Sequence, residues 1–269
     1  MPFENKKVWL LHQFRQAYEL WGTEFDELSD SPEGRQIRSM IMAADNVYLR
    51  EARAIYTNSK IVAQRLKTWN RIETTKVLYP PLHHPEDFSG GPSGDYFFYP
   101  SRLVESKRQA LAIEAMRHVR SPFRLVVAGS PDNDRYERYL ESLIEKYDLQ
   151  NKVTMLGWIS ERQKADLMSN CLAVLYLPFD EDSYGYVTLE AYQSRKPVLT
   201  LKDSGGTEEL VEDGVNGRVV GPSPEELAWA MEEMWAKQEA VTTMGQAGFE
   251  TIGKKGITWD HIIDELTSN

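Results

Sequence analysis

Residues 172–191 read LAVLYLPFDEDSYGYVTLEA, and this segment is the strongest indication of how the chain folds. The apolar run Leu172–Leu177 predicts a buried strand, Pro178 ends it, and a helical pattern begins near Tyr186. The segment is therefore predicted to be a strand, an acidic loop and the N-terminus of a helix. The unpaired amides of a first helical turn, together with the positive end of the helix dipole, favour the binding of a phosphate group.

Two carboxylates flank this predicted anion site. Asp182 and Glu190 are eight positions apart, about two helical turns, so both can lie along one face of the element. Each can accept hydrogen bonds from the hydroxyl groups of a sugar or a ribose, which a sugar nucleotide carries beside its diphosphate. The alternative is that Glu181 and Asp182 cap the helix while Glu190 is solvated. The spacing alone fits both interpretations.

The composition bounds the class of protein. The chain has 269 residues, of which 41% are hydrophobic, enough for one large or two modest domains. Acidic residues outnumber basic ones by 41 to 31, giving a net charge of -10, which argues against a broad basic surface for nucleic acid. The first residues are too polar for a secretory signal, and no apolar run reaches membrane-spanning length. We expect a cytoplasmic protein, and peripheral contact with the inner membrane face stays open.

A change of composition predicts the domain boundary. Between Pro80 and Gly94, prolines and glycines replace the apolar periodicity of the flanking segments. We predict a partial N-terminal domain over residues 1–88, a linker over 89–94 and a C-terminal domain over 95–269. Strands and helices then alternate, which predicts a parallel sheet with helices on both faces. The predicted strands of this domain are Tyr96–Tyr99, Phe123–Ala128, Val153–Leu156, Leu172–Leu177 and Pro197–Leu201.

Further candidate site residues follow predicted strands. His12 ends the strand predicted over Val8–His12, and Arg102 follows the Tyr96–Tyr99 strand, with Lys107 opening a helix predicted to run to Val119. Ligand sites in open α/β sheets lie at the carboxyl ends of strands, so these side chains stand where chemistry is usual. The alternatives are a histidine satisfied at a strand end and solvated basic side chains.

Two adjacent glycines, Gly205 and Gly206, predict a second tight turn into a helix, where backbone can approach a ligand closely. No Gly-x-Gly-x-x-Gly follows an early strand and no Walker loop is present, which argues against nicotinamide cofactors and P-loop nucleotide hydrolysis.

Taken together, these motifs resemble the retaining glycosyltransferases of the GT-B fold in glycosyltransferase family 4, also called group 1. The resemblance covers Tyr96 to about Gly221, and its most specific part is Asp182–Ala191. The other motifs, in order, are Ser101-Arg102-Leu103, Lys107-Arg108, Glu114-Ala115-Met116, Val126–Gly129, Val153–Gly157, Lys196-Pro197-Val198, Gly205–Val211 and Asp213–Gly217. The resemblance implies an α/β fold of the GT-B type, with a Rossmann-like C-terminal donor domain and a partial N-terminal Rossmann-like domain. We expect the last helix to pack back on the N-terminal part.

The resemblance also implies roles for particular residues. His12 resembles the family's histidine near the transferred sugar, and either Asp182 or Glu181 resembles the acid that contacts this sugar. Arg102 and Lys107 match the pair that neutralises the donor diphosphate. Glu190 matches the acid that holds the ribose. The remaining predicted donor-binding residues are Tyr184, Gly185, Tyr186, Val187, Gly205 and Gly206.

The function implied by the resemblance is a retaining hexosyltransferase. It would move a hexose from a nucleoside diphosphate sugar to a hydroxyl of a glycan, lipid or small-molecule acceptor, with no metal and no further cofactor. The family's first strands and its glycine-rich acceptor loop are missing from the sequence. The alternative is therefore a non-catalytic sugar-nucleotide-binding subunit or a fragment of a split glycosyltransferase, with a second glycosyltransferase subunit as its partner.

Overall fold

The computed structural model describes residues 5–23, 25–181 and 183–268. Contacts along the chain divide it into two compact units, one formed by Met1–Pro80 with Ile257–Asn269 and the other by Pro81–Gly256.

The first unit contains a three-stranded parallel sheet with two helices between its strands. The sheet order is β1-β2-β3, for strands β1 (Lys7–Leu10), β2 (Ala54–Thr57) and β3 (Lys76–Val77). The helices are α1 (Pro32–Tyr48) and α2 (Lys60–Asn70). Both begin at a serine N-cap, because Ser31 and Ser59 accept hydrogen bonds from first-turn amides.

The core of the first unit has two clusters of apolar side chains. One is formed by Ile55, Leu66 and Ile72, where β2 meets α2. The other is formed by Tyr56, Leu78 and Ile262, so the last helix of the chain packs within this unit.

The second unit contains a six-stranded parallel sheet, with a helix between each pair of consecutive strands; between the last two strands this is the 3-10 helix Gly206–Glu209. Its strands are β4 (Tyr96–Pro100), β5 (Arg124–Ala128), β6 (Val153–Met155), β7 (Ala173–Leu175), β8 (Val198–Leu201) and β9 (Gly217–Val220). The helices that follow α2 along the chain are α3 (Gln109–Ala115), α4 (Asp134–Lys146), α5 (Glu161–Asn170), α6 (Tyr186–Gln193), α7 (Pro224–Ala236), α8 (Gln238–Lys254) and, in the first unit, α9 (Trp259–Thr267).

The strand order of this sheet is β6-β5-β4-β7-β8-β9. The order reverses direction at β4, which pairs with β5 on one side and β7 on the other. Such a reversal opens a crevice at the carboxyl ends of the two central strands, where ligands of open α/β sheets bind. The two central strands are buried on both faces, since neighbouring side chains along each strand are buried: Phe97 and Phe98 on β4, and Val174 and Leu175 on β7.

Two local predictions differ from the structure. The helix predicted over Lys107–Val119 is shorter, because Glu105–Lys107 forms a 3-10 helix and Arg108 adopts a left-handed conformation with φ of 57°. The edge strand β9 was not predicted. It has only four residues, and its extended conformation depends mainly on its pairing with β8.

The predicted linker, residues 89–94, lies inside the second unit, and the division between the units falls at Pro80 and Pro81. Lys196 is almost fully buried, and its ammonium donates hydrogen bonds to the carbonyl oxygens of Gly91 at 3.0 Å and Pro92 at 2.9 Å. Burial lowers the pKa of Lys196. A composition rich in proline and glycine predicts irregular backbone, but it does not predict whether that backbone is packed.

Candidate functional site

The loops that follow β7 and β8 are joined at the carboxyl edge of the second sheet. Glu181 donates its amide to the Ser204 carbonyl at 3.3 Å, and Gly206 donates its amide to the Glu181 carbonyl at 2.8 Å. Gly205 has φ of +64°, and a Cβ there would lie 2.5 Å from the Glu181 nitrogen, so the close approach requires glycine. The acidic loop and the glycine turn, predicted separately from the sequence, therefore form one structure.

A cation and a carboxylate meet in this loop. The Lys107 ammonium forms an ion pair with the Glu181 carboxylate and donates a hydrogen bond to the Tyr176 hydroxyl at 3.0 Å. The Tyr176 hydroxyl in turn donates to Glu181 at 3.0 Å. Burial, reinforced by the Glu181 charge, holds the pKa of Tyr176 well above its usual range, so its hydroxyl stays protonated. Two predicted site residues, Lys107 and Glu181, are thus brought together.

Helix α6 presents its N-terminus to the same loop. Its N-cap residue is Gly185, which has φ of +70° and no side chain that could accept from the first-turn amides. Tyr184 before it is buried, whereas Tyr186 at the first helical position is half exposed. The amides of Tyr186 and Val187 belong to this first turn, so the positive end of the helix dipole lies there.

Arg102 is the most exposed of the predicted donor-binding side chains. Its side chain is 70% exposed, and its guanidinium lies 3.3 Å from the Asp132 carboxylate. An ion pair this exposed is weak, so the guanidinium can turn toward a bound anion at little cost.

The predicted ribose acid, Glu190, is buried on α6 with only 7% of its surface exposed. Its Oε1 accepts from the Lys164 ammonium at 2.7 Å, while its Oε2 is buried and has no hydrogen-bond partner among the described residues. Burial raises the pKa of Glu190, and the Lys164 charge opposes this rise. A buried oxygen without a partner is costly, and a ligand hydroxyl would satisfy it.

Arg108, for which the sequence predicts no site role, joins three loops of this edge. Its guanidinium makes two hydrogen bonds of 2.8 Å to the Asp203 carboxylate. It also donates to the carbonyl oxygens of Leu177 at 2.7 Å and Pro178 at 2.6 Å. The loops after β4, β7 and β8 are therefore held together by one side chain. Its position next to Lys107, in the Lys107-Arg108 motif, is the feature of the sequence that could have indicated a role at the site.

The other two predicted catalytic residues are Asp182 and His12. Asp182 lies outside the described residues, whereas its neighbour Glu181 is the acid paired with Lys107. His12 belongs to the first unit, follows β1 and is exposed, and its Nδ1 lies 2.5 Å from the Gln13 carbonyl oxygen.

Two features are absent from residues 5–23, 25–181 and 183–268. Within these ranges no three His, Cys, Asp or Glu side chains are grouped so as to hold a metal ion. No helix there combines the length and the apolar character needed to cross a bilayer.

Comparison with known proteins identifies a family for this chain. The family described as glycosyl transferases group 1 matches residues 89–251. The chain belongs to this family. The predicted family and the predicted fold, α/β of the GT-B type with a Rossmann-like donor domain, are confirmed.

Curated relatives include the alpha-1,3/1,6-mannosyltransferases ALG2 of mouse and human. The mouse protein is 31% identical over 213 residues, which is 71% of this chain and 51% of the relative. The human protein is 31% identical over 231 residues, covering 76% of this chain and 55% of the relative. The chain thus spans about half the length of the curated relatives it matches.

Solved structures share the fold at lower identity. Anabaena Alr3699/HepE in complex with UDP and glucose aligns with a TM-score of 0.75 at 23% identity, covering 89% of this chain and 69% of that one. Sucrose-phosphate synthase from Thermosynechococcus elongatus aligns with a TM-score of 0.75 at 21% identity, covering 88% and 62%.

Gly185→Ala tests the tight packing at the start of α6. A Cβ at Gly185 would collide with the Tyr176 ring, and alanine would also be strained at φ of +70°. Together these effects are expected to lower the free energy of unfolding by about 2–4 kcal/mol, measured by urea denaturation. Gly253→Ala is the control, because nothing lies within 4 Å of its added Cβ inside α8, and alanine there should stabilise the chain slightly. Equal effects of the two substitutions would contradict the packing described.

Proposed function

We propose that the chain carries the donor site of a retaining hexosyltransferase, which moves a hexose from a nucleoside diphosphate sugar to an acceptor hydroxyl. The observation that carries this proposal is the buried Oε2 of Glu190, which has no partner among the described residues. Glu190 lies on α6, whose N-terminus follows the loop that carries Glu181, the ion-pair partner of Lys107. The carboxylate suits a ribose hydroxyl, and the cation with the helix N-terminus suits a diphosphate. The names of the ALG2 relatives and the UDP and glucose bound to Alr3699/HepE support the same donor class.

The proposed roles follow the chemistry of each group. Arg102 and Lys107 would neutralise the diphosphate and stabilise the negative charge that grows on it as the sugar leaves. The amides of Gly185, Tyr186 and Val187 would bind phosphate oxygens. We propose that these cations and amides make a metal ion unnecessary for transfer. The remaining donor contacts would come from Tyr184, Gly205 and Gly206.

The acids at the sugar end and the acceptor side complete the proposal. Glu181 or Asp182 would contact the donor sugar, and His12 would lie near the transferred sugar. The acceptor would be a hydroxyl of a glycan, a lipid or a small molecule. We propose a cytoplasmic location, with peripheral contact at the inner membrane face for a lipid acceptor.

Donor binding is the first test. UDP, GDP and ADP sugars are screened for thermal stabilisation of the purified chain, with Arg102→Ala and Glu190→Ala as site variants and Arg124→Ala as an exposed-arginine control. A donor at a hundred times its dissociation constant should add about 2.7 kcal/mol to the free energy of unfolding. We expect one donor base to stabilise the wild type and the control but neither site variant. A folded chain that no donor stabilises would contradict the proposal, and the anomeric configuration of a product, read by NMR, would test retention.

A second candidate function is a non-catalytic sugar-nucleotide-binding subunit or a fragment of a split glycosyltransferase. It is favoured by exposed apolar side chains on α1. The charged side chains of this helix at its centre turn inward, since Arg38 donates to the Ala17 carbonyl and Asp45 accepts from the Tyr18 hydroxyl. The exposed apolar side chains of α1 are Ile37, Met40, Val47 and Tyr48.

An apolar surface of this kind is usually covered by another polypeptide, which here would be a second glycosyltransferase subunit. Tight donor binding without transfer to any acceptor, restored by adding such a subunit, would favour this second function over the first.

A further inference from the structure

We propose that Lys164 is a positioning residue, which fixes the orientation and the charge of Glu190 for recognition of the ribose hydroxyls of the nucleotide. This inference rests on the proposed function, because it assumes that Glu190 contacts the donor ribose. It concerns a residue on α5, outside every motif that carried the family resemblance.

The contact between the two side chains is short and shielded. The Lys164 ammonium lies 2.7 Å from Oε1 of Glu190, and both side chains are largely buried. The Phe88 ring covers the lysine, with its centroid 5.6 Å from Nζ. Lys164 also pairs with Glu161 at 2.7 Å, but Glu161 is mostly exposed. The buried carboxylate of Glu190 is therefore the partner protected from solvent.

The two oxygens of Glu190 are used unequally. Oε1 is engaged by Lys164, which restricts rotation of the carboxylate, and Oε2 is left as a buried acceptor with no partner among the described residues. An unsatisfied buried acceptor is costly, and a hydroxyl group of a ligand would satisfy it. With Oε1 held by Lys164, Oε2 is the oxygen of Glu190 that can accept from such a hydroxyl.

The charge of Glu190 depends on the same lysine. Burial raises the pKa of Glu190, Lys164 lowers it, and Glu161 raises it slightly further. Without Lys164 the buried carboxyl would be protonated at higher pH. A protonated carboxyl has less acceptor capacity, so hydroxyl recognition would weaken.

The decisive experiment compares ribose and deoxyribose ligands in matched variants. Dissociation constants are measured by calorimetry for the tightest-binding of UDP, GDP and ADP and for its 2′-deoxy and 3′-deoxy forms. In the wild type, at least one missing hydroxyl should weaken binding about tenfold. In Lys164→Met this penalty should fall to about twofold or less, whereas Lys164→Arg should keep most of it. Lys237→Met, which removes an exposed lysine of another ion pair, should behave as the wild type.

The pH dependence of affinity gives a second readout that a purely structural role would not move. Affinity is present above the pKa of Glu190 and is lost as the pH falls through it. Lys164→Met should move this loss of affinity to higher pH, because the positive charge that lowers the pKa of Glu190 would be gone. If Lys164→Met does not fold, Lys164→Gln carries the same expectations.

The possible outcomes are distinct. A Lys164→Met protein that keeps both the wild-type hydroxyl penalty and the wild-type pH dependence of affinity would overturn this inference and leave the proposed function standing. A folded wild type that binds none of the nucleotides would overturn the proposed function and this inference with it.

Discussion

Lys107→Met is expected to lower the rate of sugar transfer at saturating donor by about 100- to 1,000-fold. The Lys107 ammonium is held at the carboxyl edge of the second sheet by Glu181 and Tyr176. In the proposed reaction, negative charge would grow on the departing diphosphate as the bond to the sugar breaks, and a fixed cation would stabilise that charge more than it stabilises the bound donor. The effect should therefore be larger on kcat than on the donor dissociation constant.

The measurement is steady-state transfer together with direct donor binding. Lys152→Met is the matched control, because Lys152 is also a half-buried lysine of the second unit. Lys152 lies just before β6, and its ammonium donates a hydrogen bond to the carbonyl oxygen of Val119 instead of to a predicted site residue. Tyr176→Phe, which removes the hydroxyl between Lys107 and Glu181, should have a smaller effect of about tenfold. A Lys107→Met enzyme within threefold of the wild-type kcat would rule out the proposed role.

Arg108→Gln is expected to lower the free energy of unfolding by about 3 kcal/mol and to weaken donor binding as well. The substitution removes a two-pronged contact to Asp203 and hydrogen bonds to two carbonyl groups of the loop after β7. It also leaves Asp203, only 35% exposed, without its guanidinium partner. Because one side chain connects three loops, its loss should loosen the whole edge.

Arg124→Gln provides the comparison for this prediction. Arg124 also contacts an aspartate, Asp95, at 2.9 Å, but both side chains are about half exposed. Such surface pairs contribute about 1 kcal/mol or less. Urea denaturation of the two variants should therefore differ by about 2 kcal/mol, and equal losses would show that Arg108 does not fasten the loops.

The central strands of the second sheet could be predicted because burial on both faces imposes continuous apolar runs. Residues 172–177 show this, although the strand observed there, β7, is shorter. Helix α6 begins at Tyr186, where the helical pattern starts. Strand β9 has no such signal, since it is a short edge strand that depends on pairing with β8.

The sequence predicts the local backbone of the candidate site, but it does not predict which distant side chains contact one another. The acidic loop and the glycine turn carry local signals of backbone geometry. The partners of Glu190 and Arg108 do not, because Lys164 is 26 positions from Glu190 and Asp203 is 95 positions from Arg108. Such contacts depend on how the helices and loops lie against the sheet, and a single sequence does not display that arrangement.

The hydrogen bonds from Lys196 to the carbonyl groups of Gly91 and Pro92 determine where the second unit can be cut out as a separate protein. A fragment that started at residue 95 would retain the buried ammonium but lose both of its acceptors. The ammonium would then have to deprotonate or draw water into the interior, and either change costs stability. A fragment that starts at Pro81 keeps both acceptors. Crystallisation or binding studies of the isolated second unit should therefore use the earlier start, although the first strand of its sheet begins only at Tyr96.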